Sequence, residues 1–192
     1  MIPPVVLGRP RVSPVMLIGQ APGPREGKIG HPFGWTAGTT LFRWFGSLGV
    51  EEETFRERAY IAAVCRCFPG KASGSSASKG DRVPSTIEIA NCRTWMQQEI
   101  ELVRPRLVLP VGRLAIEQVL ARKDPLASVI GHTHQVTFLG ARIDVIPLPH
   151  PSGLSAWHKV EPGKTLLTQA LALIKTHEAW ESLFEKKNPL HR

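Results

Sequence analysis

The residues best suited to chemistry lie in one short stretch, His150-Pro151-Ser152-Gly153-Leu154-Ser155, which follows the apolar run Ile143-Asp144-Val145-Ile146-Pro147-Leu148-Pro149. Proline fixes φ and carries no N–H donor, so Pro147, Pro149 and Pro151 must end a strand here. The loop beyond offers an imidazole, hydroxyls and, at Leu154, an apolar side chain that nothing local obliges to be buried. An imidazole beside an apolar wedge suits an enzyme that levers a base out of DNA and acts on it. The same residues equally fit a strand-ending turn with a helix-capping serine. A second candidate is Gly19-Gln20-Ala21-Pro22-Gly23-Pro24, dense enough in Gly and Pro for backbone N–H groups to converge on a ligand, or for a structural turn. Phe33, between Pro32 and Gly34, is placed to stack on a flat ligand, although a core-filling Phe is the commoner case. Gly112-Arg113, at a strand-to-helix turn, sets free N–H groups beside a cation as an anion site would. His132 and His134 have no further ligand at the usual spacing and are not read as metal ligands.

Composition narrows the setting. At 192 residues the chain fits one domain with a sizeable core, with residues 1–13 as a loose or surface-clinging arm and residues 187–192 as a frayed tail. The net charge of +8 makes an acidic polymer the expected partner, with salt-sensitive attraction to phosphates; plain solubility charge is the alternative. Three cysteines, Cys65, Cys67 and Cys92, argue against a disulfide framework and for a reducing compartment. The N-terminus lacks a secretory pattern and no apolar run approaches a membrane span, which together predict a cytoplasmic protein.

The elements that must position these residues alternate between strand and helix. Residues 14–19, 59–65 and 106–112 read as buried strands, and 135–139 with 142–146 as a hairpin around Gly140-Ala141. Helical spacing covers residues 39–48, 52–58 and 113–122, and a further helix follows Pro162-Gly163. Ser85-Thr86-Ile87-Glu88 is a capping box that opens a helix running to about Val103, with Ile89, Cys92, Trp95, Met96, Ile100 and Val103 on one face. Residues 69–82 form a Gly/Ser/Lys-rich loop whose cations suit phosphates, or solvent. The pattern predicts an α/β domain with a mainly parallel central sheet.

Taken together and in this order, the blocks resemble the uracil-DNA glycosylase superfamily, most closely its family 4 branch. The likeness spans roughly residues 15–175: residues 19–23, then Gly30-His31-Pro32-Phe33, residues 60–67, 84–92, 108–113, Gly131-His132-Thr133, and residues 150–155. The resemblance implies a three-layer αβα sandwich and a monomer that hydrolyses the N-glycosidic bond of uracil in DNA, single- or double-stranded, in base-excision repair. It implies that His150 donates a hydrogen bond to the departing base, with the backbone at Gln20 and Ala21 assisting. Phe33 would stack on the flipped base and Leu154 fill the hole. Ser152, Gly153 and Ser155, with Arg113, would meet the DNA backbone.

Departures from the family pattern bear on the chemistry. Where other branches carry Asp or Glu in the first motif, this chain has Ala21 and Gln20; Gln20 can orient a water but not act as a base, and Glu26 is the nearest ionisable alternative. Ala63 stands where family 4 has the Asn that reads the uracil edge, which predicts relaxed discrimination towards other deaminated bases. Only Cys67 and Cys92 match the four cysteines of the family 4 iron–sulfur cluster, so no such cluster, and no metal, is expected. The missing acids and amide leave a DNA-binding protein without catalysis as the alternative. A nucleotide-binding enzyme is less consistent, because no P-loop or dinucleotide fingerprint is present.

Overall fold

A computed structural model describes residues 1–72, 80–153 and 155–185. The elements are, in order, β1 (Val15–Gly19), α1 (Glu26–Ile29), α2 (Thr36–Gly46), α3 (Glu52–Arg58), β2 (Tyr60–Ala63), α4 (Thr86–Val103), β3 (Leu107–Pro110) and α5 (Arg113–Leu120). They continue with α6 (Leu126–Val129), β4 (His134–Phe138), β5 (Ala141–Val145), a 3-10 turn at Trp157–Lys159, α7 (Gly163–Lys175) and α8 (Glu178–Phe184). The strands form one sheet of order β2-β1-β3-β5-β4. All neighbours run parallel except the β4–β5 hairpin. Every residue of β1 and β3 is buried, as expected when helices cover both faces of a parallel sheet. Among the described residues no helix is long and apolar enough to cross a membrane.

Local chemistry explains most boundaries. Ser85 accepts from the Glu88 N–H and the Glu88 carboxylate accepts from the Ser85 N–H, closing the capping box. The hairpin turns at Leu139-Gly140, one residue earlier than expected, with φ of 48° and 87°; two consecutive positive φ values match the tight turn that fits strand twist. Prolines do not end pairing after β5 as abruptly as the sequence predicts. The N–H groups of Ile146 and Leu148 still donate to Val108 and Pro110 of β3, and Pro147 lies between them, where no donor towards β3 is needed.

Two helices differ from expectation. On α4, Met96, Ile100 and Val103 are buried and Ile89 and Cys92 pack partly against the core, but Trp95 is 60% exposed. One position before Met96 is about 100° around the helix, enough to carry the indole off the inward face. Helix α8 was not anticipated, yet Trp180 is among the largest fully buried side chains. It joins Phe45, Phe55 and Phe184 in one aromatic cluster. His177 holds the start of α8: Nδ1 accepts from the Ala179 N–H at 3.1 Å, and Nε2 lies 3.2 Å from Asp144 of β5. The N-terminal arm clings to the body. Ile2 bridges to Phe68, and Val6, 4% exposed, donates to the Arg66 carbonyl.

Trp180→Ala is predicted to cost about 3–5 kcal/mol of stability in a urea titration. A loss below about 1 kcal/mol would show that α8 does not contribute to the core.

Candidate functional site

The parallel strands end side by side. Gly19 of β1 pairs with Ala63 of β2, and the Val111 N–H beyond β3 donates to Ile18. The segment after β5 runs beside β3 to Leu148, and there the chain turns out at Pro149-His150. A cavity of about 640 Å³ opens at this edge, where open parallel α/β sheets hold ligands. Gln20, Ala21, Glu26, Phe33, Ala63 and His150 all line it, as do Ser152 and Gly153.

Close backbone approach fixes the two rings. A Cβ on Gly19 would lie 2.8 Å from Phe33 Cζ, and a Cβ on Gly112 would lie 2.9 Å from His150 Cδ2. Neither position accepts a side chain without displacing the ring. Phe33 itself has φ 53°, the left-handed region that non-glycine residues rarely adopt. Buried Arg56 of α3 holds it there: its guanidinium donates to the Pro32 carbonyl at 2.9 Å and the Phe33 carbonyl at 2.8 Å. The same group lies 4.4 Å above the Phe42 ring and pairs with Glu52 at 2.8 Å.

His150 is poised as a neutral donor. Its Nδ1 accepts from the Ser152 N–H at 3.2 Å, which assigns the ring proton to Nε2. Burial lowers its pKa, a nearby Asp81 opposes that, and His158 adds to it. Glu26 serves the loop backbone: its carboxylate accepts from the Gly23 N–H and, at 3.0 Å, from the Gly34 N–H. Burial raises its pKa against those bonds. Beyond the strand ends, the Val64 and Cys65 N–H groups donate to the Gly19 and Gln20 carbonyls, tying the first loop to β2.

Other expected residues stand apart. Arg113 does not line the cavity; it is 59% exposed and lies 3.7 Å from Glu117 on its own helix. The anticipated anion site at Gly112-Arg113 is not formed as expected, because the Gly112 N–H donates to the Leu148 carbonyl. Ser155 closes a turn by donating its N–H to Ser152 and lies outside the cavity lining, while Leu154 falls outside the described residues. In the long loop, Lys71 pairs with Asp81 and Arg82 with Glu88 rather than facing solvent alone.

Several lining residues escaped the sequence reading, among them Arg25, Trp35 and Asp81. Arg25 lies 4.1 Å over the Trp35 ring at the cavity, and Asp81 reaches it from the far end of the Gly/Ser/Lys-rich loop. The arginine and indole carry no spacing signal, and a single acid in a low-complexity loop reads as solvent-facing.

The chain has three cysteines, one fewer than a four-cysteine iron–sulfur set needs. Cys65 is buried, and burial together with adjacent Cys92 pushes its thiol up to about 12. Among the described residues, no three His, Cys, Asp or Glu side chains gather as a metal site.

The sequence model of the uracil DNA glycosylase superfamily matches residues 6–175. The chain is 27% identical over 144 residues to a type-4 uracil-DNA glycosylase of Archaeoglobus fulgidus, covering 73% of this chain and 66% of that one. It is 26% identical to a type-4 enzyme of Pyrobaculum aerophilum, over 73% of this chain and 67% of the relative. A type-5 uracil-DNA glycosylase of the same organism is 30% identical over 73% of this chain and 62% of the relative. The chain thus spans about two-thirds of the length of these relatives, or slightly less.

The lowered His150 pKa has a defined sign. Folding disfavours the imidazolium, so the ring's contribution to stability is present above its ordinary value of 6.5 and is lost as pH falls through the lower folded value. An NMR titration should place the His150 midpoint below 6.5. A midpoint at or above that value would contradict the buried, neutral ring.

Proposed function

The chain belongs to the uracil DNA glycosylase superfamily, and from that premise we propose that it hydrolyses the N-glycosidic bond of uracil in DNA, leaving an abasic site. One observation carries this reading: His150, with Nδ1 engaged by backbone and Nε2 left to donate, shares a cavity with Phe33 and the Gln20-Ala21 loop. A base turned out of the stack would lie against the Phe33 ring, with the first loop's backbone N–H groups and His150 meeting its oxygens.

Bond cleavage leaves negative charge on the base, chiefly at O2, while the sugar becomes oxocarbenium-like. A neutral imidazole donor held in place before the reaction stabilises that charge more in the transition state than in the ground state. Gln20 lacks a basic group and in this scheme orients the water through its amide. Ala63 contributes only a methyl where an amide would read the uracil edge, so recognition relies on backbone and shape. Hypoxanthine, xanthine and substituted uracils therefore fall within the proposed range, in single or double strands. No cluster or metal takes part in the scheme. Ser152 and Gly153, which line the cavity, and Ser155 are assigned to the DNA backbone, and Leu154 to the vacated stack. Arg113, exposed on α5, is assigned to phosphate contact outside the cavity.

Incubation with a uracil-bearing oligonucleotide, followed by alkali, is expected to break the strand at the uracil. Absence of breakage on both single and double strands at enzyme excess would refute the activity; retained salt-dependent binding would then identify a DNA-binding protein that has lost catalysis. In the active protein, His150→Ala should slow single-turnover base release about 10²–10³-fold, the range seen for loss of one preorganised donor. Oligonucleotide affinity should change far less, and equal losses in rate and affinity would contradict the role given to His150.

A further inference from the structure

The glycosylase reading leaves the attacking water without a base. Two carboxylates line the cavity among the described residues, Glu26 and Asp81. Glu26 engages its two oxygens with the Gly23 and Gly34 N–H groups, and withdrawing them would loosen the loop that carries Gln20 and the loop that carries Phe33. Asp81 is placed differently. Its Oδ1 accepts from Lys71 Nζ at 2.6 Å, while its Oδ2 would lie 3.4 Å from a Cβ on Gly23, at the end of the Gln20-Ala21 loop.

This position is built rather than incidental. Lys71 and Asp81 face each other in an antiparallel bridge. The Arg82 N–H donates to the Gly70 carbonyl at 3.0 Å, and the Ala72 N–H to the Gly80 carbonyl at 3.2 Å. The Arg82 guanidinium is clamped by Glu88 at 2.6 and 2.7 Å, and Glu88 in turn caps α4. The residue after Asp81 is thereby tied to α4, and the residue before it to Ala72. Its side chain remains 32% exposed, accessible to water. The field of Asp81 at His150 is a second sign that the two groups face one space.

We propose that Asp81 is the catalytic carboxylate of this site, accepting the proton of the water that attacks the sugar. This inference rests on the glycosylase reading. The bond between the base nitrogen and C1′ breaks and its electron pair leaves with the base, whose oxygen His150 stabilises. The water oxygen bonds to C1′, and its proton passes to Asp81 Oδ2. From there it moves to the departed base or to solvent, so neutral base and abasic sugar are the products. Until then the carboxylate's charge also favours the cationic sugar. Gln20 orients the same water, and the ion pair with Lys71 keeps Asp81 aimed.

Single-turnover release of uracil from an oligonucleotide tests the assignment. Asp81→Asn should slow release about 10²–10⁴-fold, the usual contribution of a positioned base, with affinity for an abasic-site oligonucleotide within about threefold. Sodium formate should restore part of the rate to Asp81→Ala, because a small carboxylate can occupy the vacated space. Lys71→Met, which breaks the ion pair but keeps the carboxylate, should lose less than about tenfold. If Asp81→Asn stays within about threefold of an active parent chain, or if Lys71→Met loses as much as Asp81→Asn, the inference is overturned and the glycosylase reading stands. A parent chain that releases no base removes both.

Discussion

The site depends on how closely bare backbone approaches two aromatic rings. At the ends of β1 and β3, Gly19 and Gly112 leave no room for a Cβ beside Phe33 and His150. The rings therefore sit directly against the strand ends, and the sheet sets their spacing. Gly112 has φ 83°, a conformation that glycine adopts without steric cost. What a side chain would have occupied becomes part of the cavity wall.

That constraint needs a counterpart, because Phe33 is held in an unfavourable backbone conformation. Arg56 and Glu26 supply it from opposite chemical directions, the cation gripping carbonyls and the anion gripping N–H groups of the same loop. The buried guanidinium has carbonyl partners, a carboxylate and an aromatic face, so its desolvation is offset within a few ångströms. A scaffold residue on α3 thus determines where a ring on a loop can stand.

Much of this was legible from residue order. The capping box at Ser85 and Glu88, the hairpin and the parallel core follow from periodicity and turn chemistry, and the grouping of Gln20, Phe33 and His150 was implied by the family resemblance. What escaped did so for physical reasons. Trp95 sits one position off the buried helical stripe, about 100° around the helix, and so faces outward. Helix α8 is a short helix held by the aromatic cluster that Trp180 completes, a tertiary contact with no local pattern. Arg113 carried the charge expected of a phosphate contact, but its place on α5 sets it apart from the cavity. Asp81 and Arg25 enter the site through tertiary contacts, with no local pattern to announce them.

The charges of the cavity wall nearly cancel in a chain whose net charge is +8: Arg25 and Lys71 stand against Glu26 and Asp81, with His150 neutral. The described lining therefore supplies none of the surplus positive charge, which is carried elsewhere in the chain, where ionic strength acts on what solvent reaches. For the proposed substrate, the first encounter with a polyanion and the later bond-breaking step are then governed by separate parts of the molecule. Added salt would slow capture while leaving the turnover of an already seated nucleotide almost indifferent to it.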